Sequence, residues 1–515
     1  MLKKNFLYEI NNRINVADIF VGISLFLEVI FCIIQAFSLN ETTNVLLFIN
    51  VYILFFAIVC YFIIVGINKH FLAFAFFFCF FIFLLGQKIF KYMETGGYDE
   101  FLTFSFLKLD ASKYFVFTRL MYGALISVFI GYRISFRKYF KRRNNEIIKN
   151  IYTDSQQLKQ FETSRKVLMV LLIICFLCSL YMQTKIVAVK SDMSYTEGYL
   201  VNVDVNPVIK IGNFLFIGFV FLYLCCRPKL SQVFVVLLMF LIVEGGLQVL
   251  IGRRALVAKA LLFIVWYVIM CCRYDRKKMP YTYFIFLGLF AVLVMVVFWF
   301  IEQARSDSND SFSLFGALKD FMVSTGGSDS VIANTIDKQD AFPKSGIVYL
   351  LYPLKQALFN NVLVQQIKSV LFGISTPDLA QGLEYVQAND SFSHWISYLV
   401  NPELYVNGYG MGTSFIAELY IAFGVIGVVI GGLLLGKAIA YMSAVNINGM
   451  SIEKNAIILY LAYNLFTLPR SGLFDTATNI LYFICAVLIF RVIGFILGFR
   501  GVKIWETTNS SQKIQ

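Results

Sequence analysis

The sequence predicts an all-α membrane protein, a polytopic bundle of about twelve transmembrane helices. Hydrophobic residues make up 59% of the 515 residues and charged residues only 15%, and the mean hydropathy is +0.73. Soluble domains carry charge on about a quarter of their residues. Many apolar runs also reach the ~20 residues that a helix needs to cross a bilayer. Because these runs are continuous and do not alternate with polar residues, they argue against a transmembrane β-barrel.

Twelve apolar segments of the chain are predicted to span the membrane. They are residues 17–38, 45–67, 70–90, 115–136, 167–187, 208–226, 231–251, 255–272, 281–301, 412–436, 455–469 and 476–498. The first segment has no Ala-x-Ala cleavage site, so we expect it to be retained as a span. An even number of spans places both termini on one side. We therefore expect residues 1–515 to form a single integral membrane domain that ends in a disordered cytoplasmic tail, residues 503–515.

Basic residues predict the orientation of this bundle. The interval between residues 137 and 166 carries nine Lys and Arg residues, which is typical of a cytoplasmic loop. Counting spans outward from it places both termini and the basic residues near positions 227–229 and 273–278 on the cytoplasmic side as well. The net charge of +13 is thus explained by membrane orientation, and no nucleic-acid partner is expected.

The same count places residues 302–411 outside the cytoplasm as one large loop. This is the longest polar interval between apolar segments. Apolar residues recur between Ile347 and Phe372 at spacings that predict one or two amphipathic helices, lying on the membrane surface or packed on the bundle.

Cysteine and histidine usage argues against disulfides and metals. All ten cysteines lie in or at the edges of apolar segments, so a disulfide framework is not indicated. His70 and His394 are the only histidines, which disfavours a His-based metal site. We expect no cofactor.

Arginines are predicted at outer membrane boundaries, where the positive-inside rule disfavours them. Arg253 and Arg254 lie in one short turn, Arg470 lies in another, and Arg305 follows the ninth predicted span. Guanidinium groups bind phosphate oxygens in a bidentate manner and keep their charge. These four residues are therefore candidates to bind a diphosphate. The alternatives are contact with ordinary lipid headgroups, a structural charge at a helix end, or, for Arg305, an ion pair with Glu302.

Candidate acid–base groups cluster after the loop's midpoint. A neutral imidazole such as that of His394 can take a proton from a sugar hydroxyl, because its pKa lies near working pH. Asp390 or Glu403 could act instead or orient the histidine. The alternative is a packed or surface histidine.

Glu418 is a second catalytic candidate, because an acidic residue inside an apolar span usually faces a cavity or a partner. We expect Glu418 either to help bind the acceptor sugar or to pair with an outer arginine. Tyr409 and Tyr420 flank it as further sugar-binding candidates, together with Asp390 and Glu403. The three glycines at 408, 410 and 412 allow close backbone approach, but they form no nucleotide-binding motif.

These features resemble bacterial O-antigen and oligosaccharide repeat-unit polymerases of the Wzy type. The resemblance rests on the many spans and the late outer loop, and at the residue level on positions 245–475. The segments that carry it are Gly252–Arg254, Ser393–Ser397, Asn401–Tyr405, Gly408–Gly424 and Pro469–Arg470.

The resemblance implies a glycosyltransferase of the bacterial cytoplasmic (inner) membrane. Such an enzyme moves a growing glycan from undecaprenyl diphosphate onto a lipid-linked oligosaccharide repeat unit at the outer face. It is expected to work without a metal, to contact membrane lipid, and to have a chain-length regulator protein as a partner. Outer arginines then neutralise the leaving diphosphate, and a basic residue activates the acceptor hydroxyl.

Three other functions stay open from the sequence. An O-antigen ligase uses similar lipid donors with a different acceptor. A polyprenyl-monophosphate-sugar glycosyltransferase usually has an acidic metal-binding motif in its first outer loop, where this chain has only Glu41. A flippase or transporter of lipid-linked oligosaccharide usually has short loops and repeated halves, and neither is apparent here.

Overall fold

The computed structural model describes residues 16–37, 40–97, 99–104, 107–149, 155–190, 203–226, 228–250, 254–274, 314–361, 381–444 and 452–496, with a few isolated positions between them. In chain order, the elements of the first half are α1 (Val16–Phe37), α2 (Glu41–Val65), α3 (Ile67–Phe80), α4 (Gly86–Thr95), α5 (Asp99–Leu102), β1 (Thr103–Phe104), β2 (Leu107–Lys108), α6 (Ala111–Lys149), α7 (Ser155–Lys190), α8 (Pro207–Cys225), α9 (Leu230–Leu241), α10 (Leu247–Leu250) and α11 (Arg254–Tyr274).

The second half is also helical throughout its described ranges. Its helices are α12 (Leu314–Thr325), α13 (Asp329–Asp337), α14 (Gly346–Phe359), α15 (Leu383–Ala388), α16 (Phe392–Val400), α17 (Pro402–Val406), α18 (Phe415–Ser443), α19 (Ile452–Leu465) and α20 (Ala477–Ile496). The short strands β1 and β2 pair in antiparallel fashion. The all-α polytopic fold class is confirmed.

Nine helical segments in the described part of the chain are long and apolar enough to cross a membrane. They coincide with nine of the predicted spans. The predicted span 231–251 corresponds to a shorter apolar stretch, Ser231–Gly246. The predicted span 455–469 corresponds to α19, which has only 14 residues. The predicted span 281–301 lies outside the described residues.

Helices extend into the basic interval, which was expected to be a loop. α6 continues to Lys149 and α7 begins at Ser155, so most of the basic interval 137–166 is helical. Lys, Arg and Glu are good helix formers when their heads stay solvated, and this composition favours continuation beyond the membrane. Short helices were expected in residues 302–411, and the described parts of that interval form α12 to α17.

Helix starts follow local side-chain chemistry. The Asn40 side chain accepts a hydrogen bond from the backbone N–H of Thr42 at 3.0 Å and caps α2. Asn206 caps α8 in the same way, and Pro207 occupies its first turn, where a missing N–H costs nothing. Glycine 66 separates α2 from α3 with a φ of 105°, a backbone conformation that side chains disfavour.

α6 and α18 pack together through glycines. A Cβ added at Gly432 would lie 1.9 Å from Ser127 Oγ, and one at Gly436 would lie 2.1 Å from the Val128 carbonyl oxygen. On the other helix, a Cβ at Gly131 would lie 2.2 Å from a backbone oxygen of α18. Small residues permit this close approach where membrane helices gain little from hydrophobic burial. The pair therefore fixes the position of α18 in the bundle.

Two π-helical segments, Phe81–Leu85 and Ile242–Gly246, interrupt the regular helices. Each shifts the helical register and re-aims the side chains that follow. The Tyr52 hydroxyl donates to the Leu85 carbonyl oxygen at 2.8 Å, which stabilises the end of the first segment.

Residues 314–361 are fixed to one end of the bundle. The Gln87 side chain donates to the Val323 carbonyl oxygen at 3.0 Å, and Lys113 Nζ lies 2.8 Å from Asp337 Oδ1. The first contact joins α4 to α12, and the second joins the start of α6 to α13. This part of the polar interval is thus docked on the bundle through both helices.

A buried ion pair strengthens this docking. Lys88 Nζ lies 3.7 Å from Asp329 Oδ2, and the two side chains are 3% and 2% exposed. Lys88 also donates to the Thr103 carbonyl oxygen at 2.7 Å. Burial raises the pKa of Asp329 to about 6, while the neighbouring Lys88 charge acts in the opposite direction. The pair joins the membrane helix α4 to the first residue of α13.

Candidate active site

The turn between α19 and α20, residues 468–475, lies against the start of α18. The Ser414 hydroxyl at the N-terminus of α18 donates to the Pro469 carbonyl oxygen at 3.0 Å. The backbone N–H of Leu473 donates to Glu418 Oε2 at 2.9 Å. Two segments that are far apart in the sequence therefore form one polar surface at the end of the bundle.

Glu418 is buried within this contact. Its side chain is in the first turn of α18, and the residue is 2% exposed. The Thr413 hydroxyl donates to Glu418 Oε1 at 2.9 Å, and the Leu473 N–H occupies Oε2. Donors on both oxygens satisfy the carboxyl group, as a buried acid requires. Its contacts suit it to holding the 468–475 turn in place.

Asp475 is a second carboxylate at this turn, and the sequence analysis did not identify it. Its Oδ2 accepts a hydrogen bond from the Gly472 N–H at 2.5 Å. A Cβ added at Gly472 would lie 2.2 Å from Glu418 Oε1 and 2.6 Å from Asp475 Oδ1. The two carboxylates thus converge on Gly472, which only glycine can occupy without a shift.

The surroundings of Asp475 favour proton uptake. The residue as a whole is exposed to solvent, but its carboxylate lies against Gly472. Loss of water around the carboxylate raises its pKa above the ordinary aspartate value, and the Gly472 N–H opposes this change. A carboxylate with a raised pKa on an exposed residue is suited to accept a proton from a substrate hydroxyl.

Arg470 lies on the same turn, two residues before Gly472. It ends the short 3₁₀ helix Leu468–Arg470 and is exposed. Its Cζ lies 5.4 Å from the centre of the Phe83 ring, so the π-helical segment Phe81–Leu85 supports the guanidinium through a cation–π contact. The turn thus carries an exposed positive charge five residues before Asp475 in the sequence.

His394 forms a separate cluster on α16. Its Nδ1 lies 2.9 Å from the Tyr405 hydroxyl, and the Tyr385 ring lies 4.8 Å from its own. Burial lowers the pKa of His394 below its usual value, so the ring is neutral near pH 7. The Ser397 hydroxyl accepts the Met411 N–H at 3.0 Å, which ties α16 to the glycine-rich segment that leads into α18.

Asp390 is bound by two lysines. Lys344 Nζ forms an ion pair with its Oδ1, and Lys355 Nζ lies 3.2 Å from its Oδ2. Burial works to raise the pKa of Asp390, but the two lysines outweigh it and hold the pKa below the usual value. Asp390 therefore joins α14 and the residues just before it to the start of α16, and it is not the hydrogen-bond partner of His394 Nδ1.

The three remaining acceptor-side candidates occupy different surroundings. Glu403 is exposed on α17. Tyr409 is half-buried, and burial raises the pKa of its phenol. The Tyr420 hydroxyl donates to Gln339 Oε1 at 2.7 Å and joins α18 to the 3₁₀ helix Gln339–Ala341, which follows α13. Gly408 and Gly412 adopt φ values of 89° and 80°, which favour glycine, whereas the φ of Gly410 is not in this positive range.

Three predicted arginines are not placed by the structure. Arg253 and Arg305 lie outside the described residues, and so does the side chain of Arg254, which begins α11. Of the predicted diphosphate ligands, the structure positions only Arg470.

One family profile, described as O-antigen polysaccharide polymerase Wzy, matches residues 19–500, nearly the whole chain. No curated protein and no solved structure shows significant similarity to it. The match confirms the resemblance seen in the sequence, and with the apolar helices it supports a multi-pass membrane protein of polysaccharide biosynthesis that acts on lipid-linked oligosaccharide repeat units. The chain belongs to the O-antigen polysaccharide polymerase Wzy family.

Proposed function

We propose that this protein transfers a growing glycan from undecaprenyl diphosphate onto a lipid-linked repeat unit at the outer face of the cytoplasmic membrane. The observation that carries the proposal is the 468–475 turn. It presents an exposed arginine and an exposed carboxylate within a few residues, and Glu418 holds it on α18.

In the proposed reaction, Asp475 accepts the proton of the acceptor hydroxyl. The hydroxyl oxygen forms a bond to the anomeric carbon of the growing glycan. The bond from that carbon to the phosphate oxygen breaks, and its electron pair leaves with undecaprenyl diphosphate. The Arg470 guanidinium stabilises the negative charge that develops on the leaving diphosphate. Arg253, Arg254 and Arg305 are proposed to complete the diphosphate site. Asp475 then returns its proton to water.

We assign Glu418 a positioning role, because both of its oxygens accept hydrogen bonds and the residue is 2% exposed. Guanidinium groups supply permanent positive charge at the diphosphate, so the proposed mechanism uses no metal.

His394 is proposed to contact the acceptor sugar. Tyr405 occupies its Nδ1, which leaves the Nε2 side of the neutral ring for a sugar hydroxyl. Glu403, Tyr409 and Tyr420 are retained as further sugar-binding candidates, and a chain-length regulator is retained as a candidate partner.

The test compares Arg470→Ala, Arg254→Ala and Asp475→Asn in cells that make the lipid-linked repeat unit. We expect each variant to abolish long chains and to accumulate single repeat units on lipid. Arg491→Ala is the matched control, because Arg491 is exposed on α20 and lies 3.2 Å from Glu453, and it should leave chain length unchanged. Full-length polymer from both Arg470→Ala and Asp475→Asn would refute the site, and EDTA-sensitive transfer would refute the metal-free mechanism.

A further inference from the structure

An apolar groove of about 270 Å³ lies between α1 and α6, away from the candidate active site. Its floor is Val21 and Phe129, which are 8% and 1% exposed. Its walls include the exposed side chains of Leu25, Ile130 and Ile134. An apolar cavity of ~150 Å³ is already large enough to bind a benzene-sized ligand. Since both helices span the membrane, the groove opens toward lipid.

Two polar contacts join the helices around the groove. The Ser24 hydroxyl of α1 donates to Asn50 at 2.9 Å and lies 3.3 Å from the Tyr122 hydroxyl of α6. Arg133 and Asp18, which both line the groove, form an ion pair with one nitrogen–oxygen distance of 2.9 Å. The helices that form the groove are therefore connected by specific polar contacts, one of which belongs to its lining.

Positive charge lies beyond the Arg133 end. Arg137 and Lys138 follow on the next turn of α6, and both side chains are exposed. In the ranges where side chains are described, neither forms an ion pair, whereas Arg133 is matched by Asp18. The site is thus apolar along its length and cationic at one end.

We infer that this groove binds an anionic phospholipid of the leaflet at the basic end of α6. One acyl chain fills the space between α1 and α6, and the phosphate contacts Arg137 and Lys138. Basic pockets between membrane helices are suited to anionic headgroups, and each basic residue contributes to the preference. The start of α6, where Lys113 contacts Asp337, lies at the opposite end of the helix. Lipid at this groove therefore does not require the proposed catalytic site.

Gly22 provides a direct test of acyl-chain binding. It lines the groove, and a Cβ added there meets no atom within 4 Å. A phenylalanine at this position enters open space, and replacing a glycine inside a helix does not weaken the helix. Ile23→Phe is the matched control, because Ile23 is exposed on α1 and does not line the groove.

The experiment reconstitutes the full chain with equal parts of phosphatidylglycerol and phosphatidylcholine, and native mass spectrometry counts the lipid retained. We expect wild type and Ile23→Phe to retain phosphatidylglycerol preferentially, and Gly22→Phe to lose the retained lipid. Arg137→Gln and Lys138→Gln should each lower the preference for phosphatidylglycerol by about fivefold.

Retention of phosphatidylglycerol by Gly22→Phe at the wild-type level would overturn the assignment of the groove. Equal retention of the two lipids by wild type would overturn the anionic headgroup. The two glutamine variants change exposed residues, so they test the inference even if Gly22→Phe fails to fold.

Discussion

The Glu418 carboxylate accepts a hydrogen bond from the backbone N–H of Leu473, 2.9 Å away, across 55 residues of sequence. This contact holds the 468–475 turn on the first turn of α18. It thereby sets the position of Arg470 and Asp475, the two exposed charged residues of that turn. Glu418 and Asp475 are therefore expected to respond differently to loss of charge.

Asp475→Asn should abolish turnover without unfolding the protein. The amide cannot accept the proton of the acceptor hydroxyl, and loss of a general base typically costs ~10²–10⁴-fold in rate. Glu418→Gln should instead lower both activity and stability, by about 1–3 kcal/mol, because an NH₂ group would face one of two buried donors. Thermal melting of the purified variants, measured beside chain length, distinguishes these roles. Equal loss of stability in both variants would contradict the assignment.

The acid limb of the pH–activity profile should reflect protonation of the Asp475 carboxylate. The base works in its deprotonated form, and loss of water around the carboxylate raises its pKa above the ordinary value, which is about 3.9. Activity should therefore fall as the pH drops through this raised pKa. Asp475→Glu should shift the midpoint of that limb. An unchanged midpoint in this variant would assign the limb to another group.

Gly472→Ala should disrupt the site, although it adds only one methyl group. The added Cβ would lie 2.2 Å from Glu418 Oε1, so the turn must move away from α18. We expect a large loss of polymer and a lower melting temperature. Gly410→Ala is the matched control, since a Cβ there meets nothing within 4 Å. Wild-type chain length from Gly472→Ala would show that the Glu418 contact does not control activity.

The helices were predictable because membrane crossing imposes long apolar runs. The interruptions at Phe81–Leu85 and Ile242–Gly246 were not, because a π-helical register shift has no signature in the hydrophobic pattern. The continuation of α6 to Lys149 was missed for a related reason. Its basic residues indicate the side of the membrane, and they are equally compatible with a loop and with a solvated helix.

Candidate site residues were predictable only where their local chemistry was unusual. Glu418 and Arg470 stood out as charges at apolar boundaries. Asp475 did not, because its role depends on the approach of the 468–475 turn to α18, which no local pattern encodes. Asp390 looked like a partner for His394, but Lys344 and Lys355, which lie far earlier in the chain, bind its carboxylate.

The ion pair between Lys88 and Asp329 should be a strong test of how residues 314–361 are docked. Lys88→Met or Asp329→Leu alone leaves a buried charge without its partner and should cost about 3–5 kcal/mol, whereas the double variant should recover most of this loss. The surface pair of Lys319 and Glu94, whose charged atoms are 2.8 Å apart, is the control, and Lys319→Met should cost less than about 1 kcal/mol. Additive losses in the double variant would contradict a direct coupling.

The same pair predicts a pH dependence of stability. Folding raises the pKa of Asp329 to about 6, so the folded protein holds this proton more tightly than the unfolded chain, whose value is about 3.9. This group therefore lowers stability as the pH rises from about 4 to about 6, and its effect is constant above that range. Melting temperatures of wild type and Asp329→Asn should diverge over this interval. Parallel curves would show that Asp329 does not titrate there.

Reconstitution of the purified protein with its lipid-linked repeat unit tests the central claim most directly. Wild type should convert the single unit into a ladder of longer chains. Arg470→Ala, and Arg470→Lys to a lesser degree, should leave the single unit unreacted, because a lysine cannot bind a diphosphate in the bidentate manner of arginine. A wild-type ladder from Arg470→Ala would contradict the claim that the 468–475 turn binds the leaving diphosphate.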